Sequence, residues 1–330
     1  MNQSDVLVSV CCITYNHAKY IRQCLDGLIG QNVNFNYEII VHDDCSTDGT
    51  DKIVQDYYSK YPELIVPIFE ESNQYQKGNR TILASFMLPK AKGKYIAICE
   101  GDDYWIDTYK LQKQVDFLER HEDYGMVYSK AKILCKDQII GESGTADVSF
   151  EGLITYSNFP TLTRIYRHSL LDKFYREIDV KSKGWLMGDY PIAFYFVAES
   201  KIKFLDECTA VYRLLEESAS HSKDIDSLFR FYDSADDVRR FFVDKYITDE
   251  KQRAYYESVI KEKELEYKIS MLLSRKKQLE ARKLIEEQWH FMNRSQKLRY
   301  KLYTQSFLLY DLLMFAERVR SKIKKTWQNL

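Results

Sequence analysis

The sequence predicts an α/β fold: a mostly parallel, doubly wound sheet flanked by helices, followed by an all-helical C-terminal region. Three observations carry this. Through residue 135, short β-branched runs alternate with amphipathic segments. One run, Tyr95-Ile96-Ala97-Ile98-Cys99, stops abruptly at Glu100-Gly101-Asp102-Asp103, three carboxylates in four positions. Beyond about Ser222 the chain has no Gly or Pro and reads as long, charged helices.

Taken in order, residues 6–14 form the first strand, and 18–31 a helix with Ile21, Leu25 and Leu28 on one face. Residues 37–41 are the next strand, followed by a polar turn and a helix from about Thr50 to Lys60. A strand over 64–69, a helix over 81–90 and the strand 95–99 continue the alternation. Right-handed crossovers then gather the carboxyl ends of successive strands on one edge, where open α/β sheets bind ligands. Residues 136–185 are less periodic: strands are expected within 133–140 and 160–166, and a short helix within 169–176. Residues 187–199 read as helix and 202–212 as extended. In the last third, Leu265, Ile269, Leu272 and Leu279 fall on one helical seam, interrupted by Lys276. The expected division is 1–221, with a nucleotide half to about 105 and an acceptor half from about 106, and a helical region over 222–330.

The 330 residues, 45% hydrophobic and 29% charged, are enough for one large core and a helical appendage. A net charge of −1 hides an asymmetry. Residues 294–330 hold nine Lys/Arg against Asp311 and Glu317, a surplus of +7, so the remainder carries −8. The acidic body, without a basic–aromatic stripe, argues against nucleic acid as a partner. Seven cysteines without CxxC spacing suit a reducing cytosol better than a disulfide framework or a zinc site. No basic-then-apolar leader precedes the first strand, and no run of 18 apolar residues occurs.

Four positions hold the chemistry. Thr14-Tyr15-Asn16 ends strand one, where an aromatic can stack on a planar base, although a plain turn looks the same. Asp43 and Asp44 end the second strand, before Cys45-Ser46-Thr47-Asp48-Gly49-Thr50; a carboxylate there can accept the N–H of a base, while Thr47 or Asp48 can simply cap the next helix. Glu100, Asp102 and Asp103 are either a polar turn of solvated acids, against which the following Tyr104-Trp105 argues, or carboxylates that repel one another unless a cation sits between them, which points to a divalent metal carrying a phosphorylated ligand. Gly188-Asp189-Tyr190-Pro191 opens an apolar helix; Asp189 is either a dipole-stabilised helix acid or a base projecting into a cleft.

In this order, these motifs resemble the family 2 glycosyltransferases of GT-A fold, together with Ala91-Lys92-Gly93-Lys94-Tyr95-Ile96 ahead of the acidic cluster. The likeness covers about 220 residues, more loosely through Gly188-Asp189 and Tyr212-Arg213. The chain departs from the family pattern in having Cys45 where Gly is usual, and Glu100 where Asp is usual. The resemblance implies that Thr14 and Tyr15 meet the nucleobase, Tyr15 by stacking. Asp44 binds the base N–H with Asp43 nearby, and Asp102 contacts ribose or metal. Asp103, with Glu100 as a further candidate, ligates Mn2+ or Mg2+. Asp189 is then the base that deprotonates an acceptor hydroxyl, and His221 sits where some such enzymes supply another metal or phosphate ligand. The implied reaction is an inverting transfer from a nucleotide-sugar, UDP-sugar by family habit, to a saccharide or lipid-linked saccharide in bacterial surface-polysaccharide (capsule or O-antigen) assembly.

Two rivals remain. A Mg-dependent phosphatase or phosphotransferase needs a nucleophilic Asp on strand one, and Val10-Cys11-Cys12-Ile13 offers none. A homologue that binds nucleotide-sugar without transferring it would keep every binding residue. The tail has two readings of its own. Apolar residues 307–316 flanked by Lys/Arg can lie in an anionic membrane interface, placing the chain at the cytoplasmic face, or can pack on protein. The long helices after Ser222 also make a homodimer a candidate assembly.

Overall fold

The computed structural model describes residues 5–146, 148–155, 159–215, 224–292, 294, 296–297 and 300–301. Strand β1 (Val6–Thr14) lies between β2 (Asn36–Asp43) and β4 (Tyr95–Ile98), with β3 (Ile65–Phe69) outside β2, and all four are parallel. Helix α1 (Ile21–Ile29) follows β1 and α2 (Thr50–Lys60) follows β2. Alternation along the strands divides the core in two. Val8, Val10, Cys12, Tyr95 and Ala97 face the cluster holding Ile21, Cys24, Leu25 and Leu28 of α1, whereas Cys11, Ile96 and Ile98 face the other side. Burial on both faces is why these strands read as unbroken apolar runs.

Past β4 the sheet changes direction. Described strands run in the order β3-β2-β1-β4-β8-β6-β9-β5, with β7 paired to β6. They comprise β5 (Tyr104–Trp105), β6 (Tyr124–Cys135), β7 (Gln138–Ser143), β8 (Ile165–Arg167) and β9 (Lys201–Arg213). Strand β8 is antiparallel to both β4 and β6, and β5 is antiparallel to β9, while β6 and β9 are parallel. The Rossmann-like half is therefore parallel as expected, and the sheet as a whole is mixed. Helix α3 (Lys110–Arg120) joins the α1 side; α4 (Phe150–Thr155), α5 (His168–Glu177), the one-turn α6 (Val180–Lys183), α7 (Asp189–Glu199) and α8 (Ile225–Tyr246) contribute to the opposite core.

Three local expectations differ. The helix over 81–90 is a π-helix, Leu83–Met87, running into a 3-10 turn, Leu88–Lys90. Pro89 lacks the N–H an α-helix would need there. The single strand expected over 133–140 is a hairpin: Lys136 and Asp137, both at positive φ (47° and 64°), make a two-residue turn between β6 and β7. The C-terminal seam breaks because α9 (Glu250–Ser274) ends before the left-handed Lys276 (φ 60°) and α10 (Gln278–Gln288) starts in a new phase. Ile269 and Leu272 are buried, but Leu279 is 82% exposed.

The chain divides into two compact units at Ile260/Lys261, not at 221/222. Helix α8 belongs to the first unit: Ala235, Val238, Phe242 and Val243 enter its core beside Phe194 of α7. The change in composition near 222 marks a shift to helical sequence inside that unit. Among the described residues no helix is long and apolar enough to cross a membrane.

Candidate active site

The end of β1 is clasped to the end of β2. Asn16, in the left-handed region (φ 54°), donates its N–H to Ser46 Oγ (2.9 Å), and its Oδ1 accepts from the Thr47 N–H (2.8 Å). His17 N–H bonds Thr50 Oγ1 (2.8 Å) and Ala18 N–H bonds Asp48 Oδ2 (2.9 Å). Asp48, one of the two expected capping groups, thus ties the loops together as well as bonding Thr50. Asp43 is turned inward, accepting from Ser46 N–H (2.9 Å) and Oγ (2.5 Å); burial raises its carboxyl and these bonds oppose the rise. Its work is to shape the loop.

Asp44, 2% exposed, holds the neighbouring segment. Its Oδ1 accepts from the Gln74 N–H (2.6 Å) and its Oδ2 from the Tyr75 N–H (3.0 Å). Each oxygen retains acceptor capacity. Gln76, on the same segment, reaches the Tyr15 hydroxyl (3.4 Å). One turn thereby positions both the aromatic and the carboxylate expected to meet a base.

The acidic loop locks onto β1 from the other side. Gly101 N–H bonds Ile13 O (2.9 Å), and a Cβ at 101 would lie 2.6 Å from Thr14 Oγ1 and 3.0 Å from His17 Nδ1, so only glycine fits. Those two atoms are buried and have no hydrogen-bond partner among the described residues. Asp103, 2% exposed, accepts the Arg213 N–H through Oδ1 (2.7 Å). Arg213 also bonds the Asp102 carbonyl and Gln23, with its guanidinium 4.5 Å from the Tyr104 ring centre. Burial, then the charges of Asp102 and Glu100, push the Asp103 carboxyl well up. Burial and Asp102 push Glu100 up to about 7. Arg213 beside Asp103 and Arg164 acting on Glu100 only partly offset this crowding, and an all-carboxylate donor set suits a hard divalent cation. Among the described residues no three His, Cys, Asp or Glu side chains already form a metal cage. The fit is to a cation held by one or two carboxylates and completed by phosphate oxygens, as Mg2+ prefers.

Asp189 begins α7. Its Oδ2 accepts from Thr161 Oγ1 (2.7 Å) and lies 3.6 Å from Arg164 Nη2. Arg164, 2% exposed, stacks on Phe159 (3.9 Å) and donates to the Asp189 carbonyl (3.2 Å). Arg80 lies over Tyr75 (3.6 Å) and bonds its carbonyl; its own carbonyl is 3.4 Å from where a Cβ of Gly188 would be. A cavity of about 640 Å³ joins Glu100, Asp102, Asp103, Asp189, Arg80 and Arg164. The acids were expected from sequence. The arginines were not, because single basic residues in aperiodic segments resemble any surface charge. His221 lies outside the described residues.

A protein-family model described as glycosyl transferase family 2 matches residues 9–182, just over half the chain. An uncharacterised protein of Mycobacterium tuberculosis is 32% identical over 220 residues, 65% of this chain and 61% of that protein, so the match leaves over a third of the relative's length unpaired. Staphylococcus aureus TarS, a poly(ribitol-phosphate) beta-N-acetylglucosaminyltransferase, is 29% identical over 167 residues, 49% of this chain and 28% of that one. Its residues 1–349, solved with UDP-GlcNAc, superpose at a TM-score of 0.55 with 22% identity, covering 77% of this chain and 70% of that one. Mannosyltransferase PcManGT of Pyrobaculum calidifontis, solved with GDP-Man and Mn2+, gives 0.57 at 16% identity, covering 98% and 84%. At such identities the two structures speak for the fold alone. With the acids at the strand ends and the matched model spanning β1 to α6, the chain belongs to glycosyl transferase family 2.

Proposed function

We propose that the chain is a metal-dependent inverting glycosyltransferase that moves a sugar from a UDP-sugar to a hydroxyl of a saccharide or lipid-linked saccharide in bacterial polysaccharide assembly. The observation that carries it is the single cavity uniting Asp102 and Asp103 with Asp189, some 86 positions later in the chain. TarS, whose name describes N-acetylglucosaminyl transfer, supports a nucleotide-sugar donor.

Tyr15 stacks on the base and Asp44 accepts its N–H, on the segment 73–76 that Asp44 itself anchors. Asp102 and Asp103 would hold Mn2+ or Mg2+, which when bound neutralises charge gathering on the leaving diphosphate. Asp189 accepts the proton of the acceptor hydroxyl as the new glycosidic bond forms. With Oδ2 committed to Thr161 and Arg164, Oδ1 is the oxygen left for that proton. Inversion requires this carboxylate to face the sugar opposite the diphosphate. The chain works at the cytoplasmic face of the membrane, held there by its basic tail.

The test is calorimetric titration with UDP, with and without Mn2+, followed by a transfer assay. Asp189→Asn is expected to keep UDP affinity within about twofold and to lower transfer by about 100-fold or more, the scale of losing a positioned general base. Undiminished transfer in that variant would remove Asp189 from the chemistry. UDP binding by the native chain with no transfer to any acceptor would identify a binding homologue.

A further inference from the structure

Helix α8, expected from its composition to lie outside the catalytic domain, holds the segment that carries Asp189. Asp189 is the first residue of α7, and Gly188 before it provides no side-chain cap. The first turn of a helix has N–H groups without intrahelical partners, so an uncapped start frays unless contacts from outside hold it. Arg164, next to β8, bonds the Asp189 carbonyl (3.2 Å). Further grips come from α8, on both flanks of Asp189. Before it, the Leu186 N–H donates to Ser234 Oγ (2.9 Å), and Trp185 meets Phe241 edge-on with ring centres 5.3 Å apart. After it, the Tyr190 hydroxyl accepts from Arg239 Nε (2.9 Å) and donates to the Leu153 carbonyl of α4. Arg239 is in turn paired with Asp236, one turn earlier on α8 and 0% exposed.

A guanidinium bonded to a buried carboxylate has its plane fixed, so its remaining N–H groups point in set directions. Asp236 therefore aims Arg239 Nε at Tyr190. Tyr190 sits between that donor and the Leu153 carbonyl, which leaves its backbone, and Asp189 beside it, little freedom to turn. A general base works only within hydrogen-bond reach of its proton, and a shift of about 1 Å imposed from a distance can cost about 100-fold in rate. Resting on the reading of Asp189 as the base, we infer that Arg239, oriented by Asp236 and acting through Tyr190, is a positioning residue for transfer. Ser234 holds the other flank of the same segment.

The experiment follows UDP release from UDP-glucose, UDP-galactose and UDP-N-acetylglucosamine in saturating Mn2+, with water and simple glycosides as acceptors. It uses the full chain and its Tyr190→Phe, Arg239→Gln and Ser234→Ala variants, each alone and combined with Asp189→Asn. Tyr190→Phe, which keeps the buried ring and the Arg239–Asp236 pair, is expected to lower kcat about 10-fold with donor KM and UDP affinity within about twofold. Arg239→Gln is expected to do the same, and the two together to lose no more than either alone, because they act through one contact. Ser234→Ala is expected to give a smaller loss of the same kind. In the Asp189→Asn background none of the three should lower the rate further by more than about twofold. Equal losses with and without Asp189, or an unchanged kcat in Tyr190→Phe, would reduce α8 to packing and overturn the inference. Should Arg239→Gln fail to fold, Tyr190→Phe and Ser234→Ala decide the matter. If the native chain turns over no UDP-sugar with any acceptor, the transferase reading itself fails, and the positioning role falls with it.

Discussion

Lys110 carries its charge without access to solvent. It is fully buried at the start of α3, donating to Gln114 Oε1 (2.9 Å), with its ammonium 4.0 Å from the Trp105 ring centre. Burial pulls it down to about 7. The neighbours it supports bear on the site. Gln114 donates to the Thr163 carbonyl (2.8 Å) and Trp105 Nε1 to the Leu162 carbonyl (2.8 Å), so the group pins the short turn Thr161–Thr163 whose first residue holds Asp189. Folding near pH 8 must release a proton that the unfolded lysine keeps until about 10.4. The unfolded chain therefore binds more protons between pH 7 and 10, and stability rises with pH across that window. We expect a gain of about 2 kcal/mol between pH 7 and pH 9 from this group, read by urea denaturation. Lys110→Met should lose that slope and gain stability at pH 7; an identical slope in the variant would show that the ammonium is not the titrating group.

At the scale of elements, the loop between β2 and α2 shows why local geometry escaped the sequence reading while its acids did not. Asp43 and Asp44 stood out as adjacent carboxylates, yet only the folded loop shows Asp43 bonded back to Ser46 and Asp44 holding residues 74 and 75. The departure at Cys45, where the family pattern has Gly, has a physical counterpart: Cys45 sits at φ 63°, the left-handed region that costs a side-chain-bearing residue about 1 kcal/mol. The hairpin turn at Lys136-Asp137 carries the same backbone without the Gly or Asn that would announce it, so a strand was expected straight through it. Relieving Cys45 while adding the chain entropy of glycine should net roughly 0.5 kcal/mol of stability. Cys45→Gly is thus expected to raise the melting temperature slightly with UDP affinity unaltered, and a clear drop in stability would mean the thiol makes a contact worth more than the strain.

For the whole molecule, the parallel half was legible because strands buried on both faces leave unbroken apolar runs, and their acidic ends mark the binding edge. The antiparallel half was not, since β6, β8 and β9 pair across gaps of 30 to 80 residues that no local pattern encodes. The division into units escaped for a related reason: α8 is as charged as the helices after it, and only its packing on α7 assigns it to the first unit. Charge, by contrast, is legible without a fold. Residues 294–330 carry +7 on a body of −8, and most of them lie outside the described residues. A basic segment near an anionic surface gains about 1 kcal/mol per Lys or Arg, and the apolar stretch 307–316 adds burial in the interface. Packing on protein would use the apolar stretch but gives no role to so many like charges. The full chain is therefore expected to sediment with vesicles containing anionic lipid at low salt, to detach as ionic strength rises past a few hundred millimolar, and to lose most of this binding when it ends at residue 301. Equal sedimentation of the two forms would assign the tail to contacts within the protein or with a second copy of it.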